Sequence, residues 1–264
     1  MESVLAQTYR DFEYIIIDGA STDDSVVVIS EYISRFQKKS LDIKYVSEPD
    51  SGIYNAMNKG TLMAEGEYCF YLNSGDSLFE STTLLQVFGD NNSVDFIFGR
   101  VGIYNDNGCL QLVGKDNIDF TPFQLFLSSP PHQGSFIKKA LIEKIGLYDE
   151  SYKLVADLKC IYQCIMIEKA SVLYKNIVIS VMEANGISYQ NHEQCLEEDD
   201  RMMVELYSEE FKRDFHDWIE LRKKNEELQQ KFNTYKNAIL FYDKIRKHIL
   251  ARKIFNYIVM KFYL

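Results

Sequence analysis

Three short segments place carboxylates and hydroxyls where an apolar run stops. Asp18-Gly19-Ala20-Ser21-Thr22-Asp23 follows Glu13 to Ile17, Glu48-Pro49-Asp50-Ser51-Gly52 follows Ile43 to Ser47, and Asn73-Ser74-Gly75-Asp76 follows Tyr68 to Leu72. Taken alone, the first two read as capped turns, because Asp, Ser and Thr side chains bond to the backbone amides that open a helix. At the third, an acidic residue closing so apolar a strand can hold Mg²⁺ or Mn²⁺ against a diphosphate, although a lone carboxylate is a weak metal signal. Two further titratable residues fall at element boundaries. Asp157 opens a helical run, where a carboxylate taken alone reads as an N-cap. His132-Gln133 follows Pro130-Pro131, where a lone histidine taken alone reads as structural.

The elements that must position these residues alternate between short β-rich runs and helical patterns, the mark of an α/β sheet with crossover helices. Glu13 to Ile17 is a buried-strand candidate, Asp23 to Phe36 a helix, Ile43 to Ser47 a second strand, Ile53 to Ala64 a helix and Tyr68 to Leu72 a third strand. Ligands bind at the carboxyl ends of strands in open α/β sheets, so the three polar loops are expected to converge on one crevice. Val94 to Val113 reads as a hairpin about Asn105-Asp106-Asn107-Gly108. A strand at Gly134 to Ile137, helices near Lys138 to Lys144 and from Asp157, and a β-rich run at Val172 to Met182 follow. From Glu193 onward the pattern is helical, uninterrupted by Pro or Gly. Two domains are therefore expected, 1–192 and a helical extension, 193–264.

The chain has 264 residues, 46% of them apolar, enough for a full core. It carries 29 Lys and Arg against 39 Asp and Glu, a net charge of −10, which argues against nucleic acid as a partner because phosphate affinity needs a basic footprint. Five cysteines without paired spacing point to a reducing, cytoplasmic compartment, and no signal peptide or spanning helix is legible.

In order and spacing, Ser-Val-Leu-Ala-Gln-Thr-Tyr-Arg-Asp-Phe-Glu-Tyr-Ile-Ile-Ile-Asp-Gly-Ala-Ser-Thr-Asp (3–23), Ser-Glu-Pro-Asp-Ser-Gly-Ile-Tyr-Asn-Ala-Met-Asn-Lys-Gly (47–60) and Gly-Glu-Tyr-Cys-Phe-Tyr-Leu-Asn-Ser-Gly-Asp (66–76) resemble family 2 glycosyltransferases. The nearest subgroup builds bacterial exopolysaccharide of colanic-acid type, and the likeness covers roughly residues 2–190. It implies a GT-A (Rossmann-like) mixed sheet flanked by helices, and transfer of a sugar with inversion from a nucleotide-sugar donor to a glycan or polyprenyl-linked acceptor. It further implies that Asp18 contacts the base of the donor, and that Asp50, Gly52, Asn55 and Lys59 line the nucleotide and sugar side. Asn73 stands on the donor side where many relatives have an aspartate. Asp76 is the implied ligand of a divalent metal, Mn²⁺ or Mg²⁺, and Asp157 the implied base, with Ala156 where the family commonly has a glutamate. His132 and Gln133 fall on the acceptor side, and Met182 to Ser188 resembles a flap that closes the site. Relatives open with an apolar strand ahead of the helix that ends in Ser-Val-Leu-x-Gln-Thr, whereas this sequence opens within that helix. A sheet lacking its first strand is therefore expected, and the alternative to an active enzyme is a non-catalytic truncated remnant. A nucleotidyltransferase would share the metal logic, but no Gly-rich run with Arg and Lys lies near the N-terminus to cradle a triphosphate.

Residues 212–264 carry 13 basic and 6 acidic residues, a net of +7 against −17 for the rest. From Ile239 to Val259 apolar residues recur at helical spacing among Lys and Arg, a pattern for an anionic membrane surface or for packing on protein. Peripheral contact with the inner face of the cytoplasmic membrane through 239–264 is the expectation.

Overall fold

The computed structural model describes residues 1–90, 93–104, 108–114, 120–183 and 191–262; in the last helix the side chains of 238, 243, 245, 246 and 249–262 are outside the description. The turn residues Asn105 to Asn107 and positions 184–188 of the expected flap thus lie outside the described residues.

In chain order the elements are α1 (Glu2–Leu5), β1 (Glu13–Asp18), α2 (Ser25–Lys38), β2 (Asp42–Ser47), α3 (Ile53–Met63), β3 (Tyr68–Cys69), β4 (Ser77–Leu78) and α4 (Thr83–Phe88). There follow β5 (Phe96–Tyr104), β6 (Leu110–Val113), α5 (Pro122–Leu127), a 3₁₀ turn (His132–Gly134), β7 (Ser135–Lys138) and α6 (Lys139–Lys144). Next come α7 (Ala156–Tyr162), which runs on into a π-helical turn (Gln163–Ile167), then β8 (Val172–Glu183), α8 (His192–Leu206) and α9 (Glu209–Phe262).

β1 and β2 pair in parallel, with Asp18 opposite Ser47. A second, mixed sheet has the order β3-β7-β5-β8-β4, with β6 paired to β5. The strand expected over Tyr68 to Leu72 is only two residues long, because Tyr68 and Cys69 pair with β7 and the ladder stops there. The buried strand expected at Glu13 to Ile17 is half-buried along its length: β1 has β2 as its one strand partner among the described residues. Helix α3 lies against it closely enough that a Cβ on Gly60 would be 3.6 Å from Ile17 Cγ1.

The motif Ser-Val-Leu-Ala-Gln-Thr has a structural explanation. Val4 and Leu5 enter a core cluster with Phe36, Leu78, Ile97 and Phe136. Its polar members satisfy backbone that the core would otherwise strand. The Leu78 amide donates to Ser3 Oγ (3.1 Å), Gln7 Nε2 donates to the Glu80 carbonyl (2.7 Å), and the Leu84 amide donates to Gln7 Oε1 (3.0 Å).

The chain divides into two compact units, Met1–Met202 and Met203–Leu264. The first runs ten residues past the boundary expected at 192/193, because α8 is tied by its Glu198 to the segment that leads into α7. In the second unit the helix breaks at Tyr207-Ser208 with neither Pro nor Gly, and Ser208 Oγ accepts from the Phe211 amide (3.2 Å) to start α9.

Candidate active site

The first two polar loops meet. Asp18, buried at the end of β1, accepts from the Ser21 amide and hydroxyl and from Ser47 Oγ at 2.6 Å. Those hydroxyl bonds, from Ser21 first and Ser47 next, hold its carboxyl below the usual range. Gly19 is required beside it, since a Cβ there would sit 2.5 Å from Asp50 Oδ2. Asp50 in turn accepts from the Gly52 amide at 3.0 Å, and Gly52, at φ +136°, adopts a backbone that only glycine takes easily before opening α3.

Helix α3 carries the link to the rest of the site. Asn55 Nδ2 and Asn58 Nδ2 each donate to the Glu150 carboxylate at 2.9 Å, and Ser51 Oγ does so at 3.2 Å. These bonds, Asn58's foremost, lower the Glu150 pKa. Asn58 also closes a pair with the Tyr148 backbone, donating to its carbonyl (2.8 Å) and accepting from its amide (2.9 Å). Lys59 points the other way, toward Glu48 (2.8 Å) and the Pro49 carbonyl (3.0 Å), so its charge braces the Glu48–Asp50 turn. A small pocket opens where the first turn of α3 faces the segment between α6 and α7, lined by Gly52, Tyr54, Asn55, Glu150 and Tyr152.

Asp157 sits in the first turn of α7 and accepts from the Tyr54 hydroxyl at 3.0 Å. Burial and then the nearby Asp157 charge push the Tyr54 phenol far above its ordinary value, so it stays a donor. His132 is buried, stacked on Tyr71 (5.5 Å between ring centroids) and edge-on to Tyr148 (6.1 Å). Burial pushes its imidazole down, against the upward pull of Asp157. The backbone carbonyl of Gln133 accepts from Ser180 Oγ. Asn73 and Asp76 share a turn in which the Asp76 amide donates to the Asn73 carbonyl at 3.1 Å, and both are half-buried. No group of three or more His, Cys, Asp or Glu side chains that could hold a metal ion occurs among the described residues.

Residues 1–130 match the family described as Glycosyl transferase family 2. An uncharacterized glycosyltransferase of Mycobacterium tuberculosis is 30% identical over 216 residues, which are 78% of this chain and 77% of that protein. The chain belongs to glycosyl transferase family 2. A PGL/p-HBAD biosynthesis glycosyltransferase of Mycobacterium bovis is 28% identical over 192 residues, 71% of this chain and 72% of that protein. Among solved structures, S. aureus TarS 1–349 in complex with UDP superposes with a TM-score of 0.58 at 17% identity, over 79% of this chain and 61% of that one. GalNAc-T7 with UDP, GalNAc and Mn²⁺ gives 0.52 at 17%, over 81% of this chain and 46% of that one. The mixed sheet flanked by helices is thus the GT-A glycosyltransferase fold.

Two buried side chains near Asp157 carry no signal in the sequence. Glu198 and Asp199 lie in the acidic run Glu197-Glu198-Asp199-Asp200, whose look is that of a solvated helix face. Instead Glu198 is buried and accepts from the amides of Lys153 (3.0 Å), Leu154 (2.9 Å) and Val155 (3.2 Å), which fixes the approach to α7. Asp199 Oδ1 is sealed from solvent, without a hydrogen-bond partner among the described residues. Burial, then repulsion from Asp157, Asp200 and Glu198, pushes its carboxyl up to about 7. A carboxyl raised above its unfolded value of about 3.9 contributes stability that is complete below about pH 4 and lost as pH rises through 7. Asp199→Asn is therefore expected to flatten the decline in melting temperature between pH 5 and 8 and to melt higher than the parent at pH 8; parallel curves for the two proteins would refute the shift.

Proposed function

We propose that this glycosyltransferase inverts configuration as it moves one sugar from a nucleotide-sugar donor to a glycan or polyprenyl-linked acceptor in surface polysaccharide synthesis. The observation that carries the reading is the Tyr54–Asp157 hydrogen bond, which joins the helix of the donor-side segment to the carboxylate opening α7. An acceptor hydroxyl attacks the anomeric carbon from the face opposite the diphosphate. Asp157 takes the hydroxyl proton as the new C–O bond forms, and the bond to the diphosphate breaks.

In this reading Asp18 and Asp50, whose loops approach each other at Gly19, receive the nucleoside, with Gly52, Asn55 and Asn73 along the donor and Lys59 supporting the loop. His132 and Gln133 stand on the acceptor side. Asp76 would hold a divalent metal, since Mg²⁺ and Mn²⁺ are commonly bound by one or two protein carboxylates together with substrate phosphates. The ion would supply positive charge to the leaving diphosphate. No helix among the described residues is long and apolar enough to cross a membrane. The basic stretch 239–264 would bring the enzyme to the inner face of the cytoplasmic membrane, where a polyprenyl-linked acceptor is presented.

Calorimetry with UDP tests the donor side. Binding is expected to need Mn²⁺ or Mg²⁺ and to weaken about tenfold or more in Asp76→Ala, a loss of about 1.4 kcal/mol. Equal affinity in both proteins, or affinity untouched by EDTA, overturns the assignment of Asp76. Inversion is read by NMR of the product anomer once a panel of nucleotide sugars has identified the donor.

A further inference from the structure

Helix α9 is 54 residues long, about 80 Å at 1.5 Å per residue. Most of a helix's stability in a protein comes from packing an apolar face, and a mostly polar surface leaves little to bury. One stripe breaks that polarity. Leu221, Leu228, Phe232, Tyr235, Ile239 and Tyr242 are each 62–70% exposed, and Asn225 lies among them. Their spacing from 221 is 4, 3, 4, 3, 4, 3, a period of 3.5 held for three heptads. Over 221–235 that is the narrow two-per-heptad seam of a coiled coil rather than the broad apolar face of a helix lying on lipid; only at its end do Leu240 (57% exposed) and Phe241 (66%) widen it.

We propose that this seam is where a second copy of the chain docks, the two α9 helices forming a parallel two-stranded coiled coil over 221–242. Leu221, Leu228, Tyr235 and Tyr242 take the d positions, and Asn225, Phe232 and Ile239 the a positions. A self-complementary surface suits a two-fold dimer, and an Asn at a single a position costs stability but fixes register when it meets its own copy. Charge separates this partner from a membrane. Residues 217–236 hold five basic and four acidic residues, nearly neutral, whereas 239–264 hold six basic and one acidic. Across a parallel seam Asp217 faces Arg222 of the second copy, an attraction that offsets the repulsion of Lys231 and Lys236 two heptads on. Burying the six apolar side chains would remove on the order of 600 Å² from each helix, within the range of small specific interfaces once both copies are counted.

Light scattering across about a hundredfold concentration range should give the mass of a dimer for the full chain. The double substitution Leu228→Glu with Phe232→Glu should give a monomer whose UDP affinity is unchanged. Asn225→Cys should form a covalent dimer under mild oxidation that the parent does not form. A parent that is monomeric throughout, or a dimer that survives the double substitution, overturns the proposal. So does binding to anionic vesicles that the double substitution abolishes, since the seam would then face lipid. A dimer that Asn225→Cys fails to cross-link overturns the parallel register.

Discussion

Asp157→Asn is expected to lower transfer by about 10²-fold to 10⁴-fold while leaving UDP affinity nearly unchanged. The substitution isolates proton chemistry from architecture. The asparagine side-chain oxygen still accepts from the Tyr54 hydroxyl, which Asp157 does at 3.0 Å, so α3 and α7 keep their contact. What is lost is the capacity to receive a proton, and an acceptor hydroxyl that keeps its proton is a poor nucleophile toward an anomeric carbon. Release of nucleoside diphosphate measures turnover, and calorimetry with UDP measures binding. Near-normal turnover in Asp157→Asn reassigns the base. Loss of both turnover and UDP binding would show instead that Asp157 holds the site together.

The sequence displayed the parts of this site that lie in loops after apolar runs and hid those that depend on which helix packs where. The approach of the Asp18 and Asp50 loops was legible, because polar loops at the carboxyl ends of neighbouring parallel strands share one edge of the sheet, and they meet around Gly19; the roles of the two carboxylates were implied by the family resemblance alone. Lys59 was not legible in the same way. Nearly two turns into α3, its Nζ reaches Glu48 and the Pro49 carbonyl, an outcome that spacing along α3 leaves undecided. The third strand came out short for a similar reason. Phe70 to Leu72 are as apolar as any strand, but in place of a ladder they provide packing: Phe70 stacks on Phe136 at 4.5 Å and Tyr71 on His132 at 5.5 Å. Hydrophobicity reports burial there, and the local pattern does not separate burial in a sheet from burial beside one.

Glu198 carries the largest expected effect outside the chemistry. Its carboxylate is the acceptor for three successive amides, of Lys153, Leu154 and Val155, and it is buried. Removing an acceptor from a buried donor costs about 1–3 kcal/mol per donor, less where water enters or the backbone relaxes. Glu198→Ala is accordingly expected to destabilise the protein by about 2–4 kcal/mol in denaturant unfolding. The same carboxylate positions Asp157, because the three amides form the approach to the helix whose first turn carries it. Glu198→Gln keeps one oxygen in the same place and removes the charge, so it should recover most of the stability. A separate measurement then reads positioning. At a temperature where both variants are fully folded, Glu198→Ala should transfer sugar more slowly than Glu198→Gln while the two bind UDP alike, since the base is displaced and the nucleoside loops at Asp18 and Asp50 are not. Equal turnover in the two folded variants would confine Glu198 to stability and leave the placement of Asp157 to Tyr54 alone.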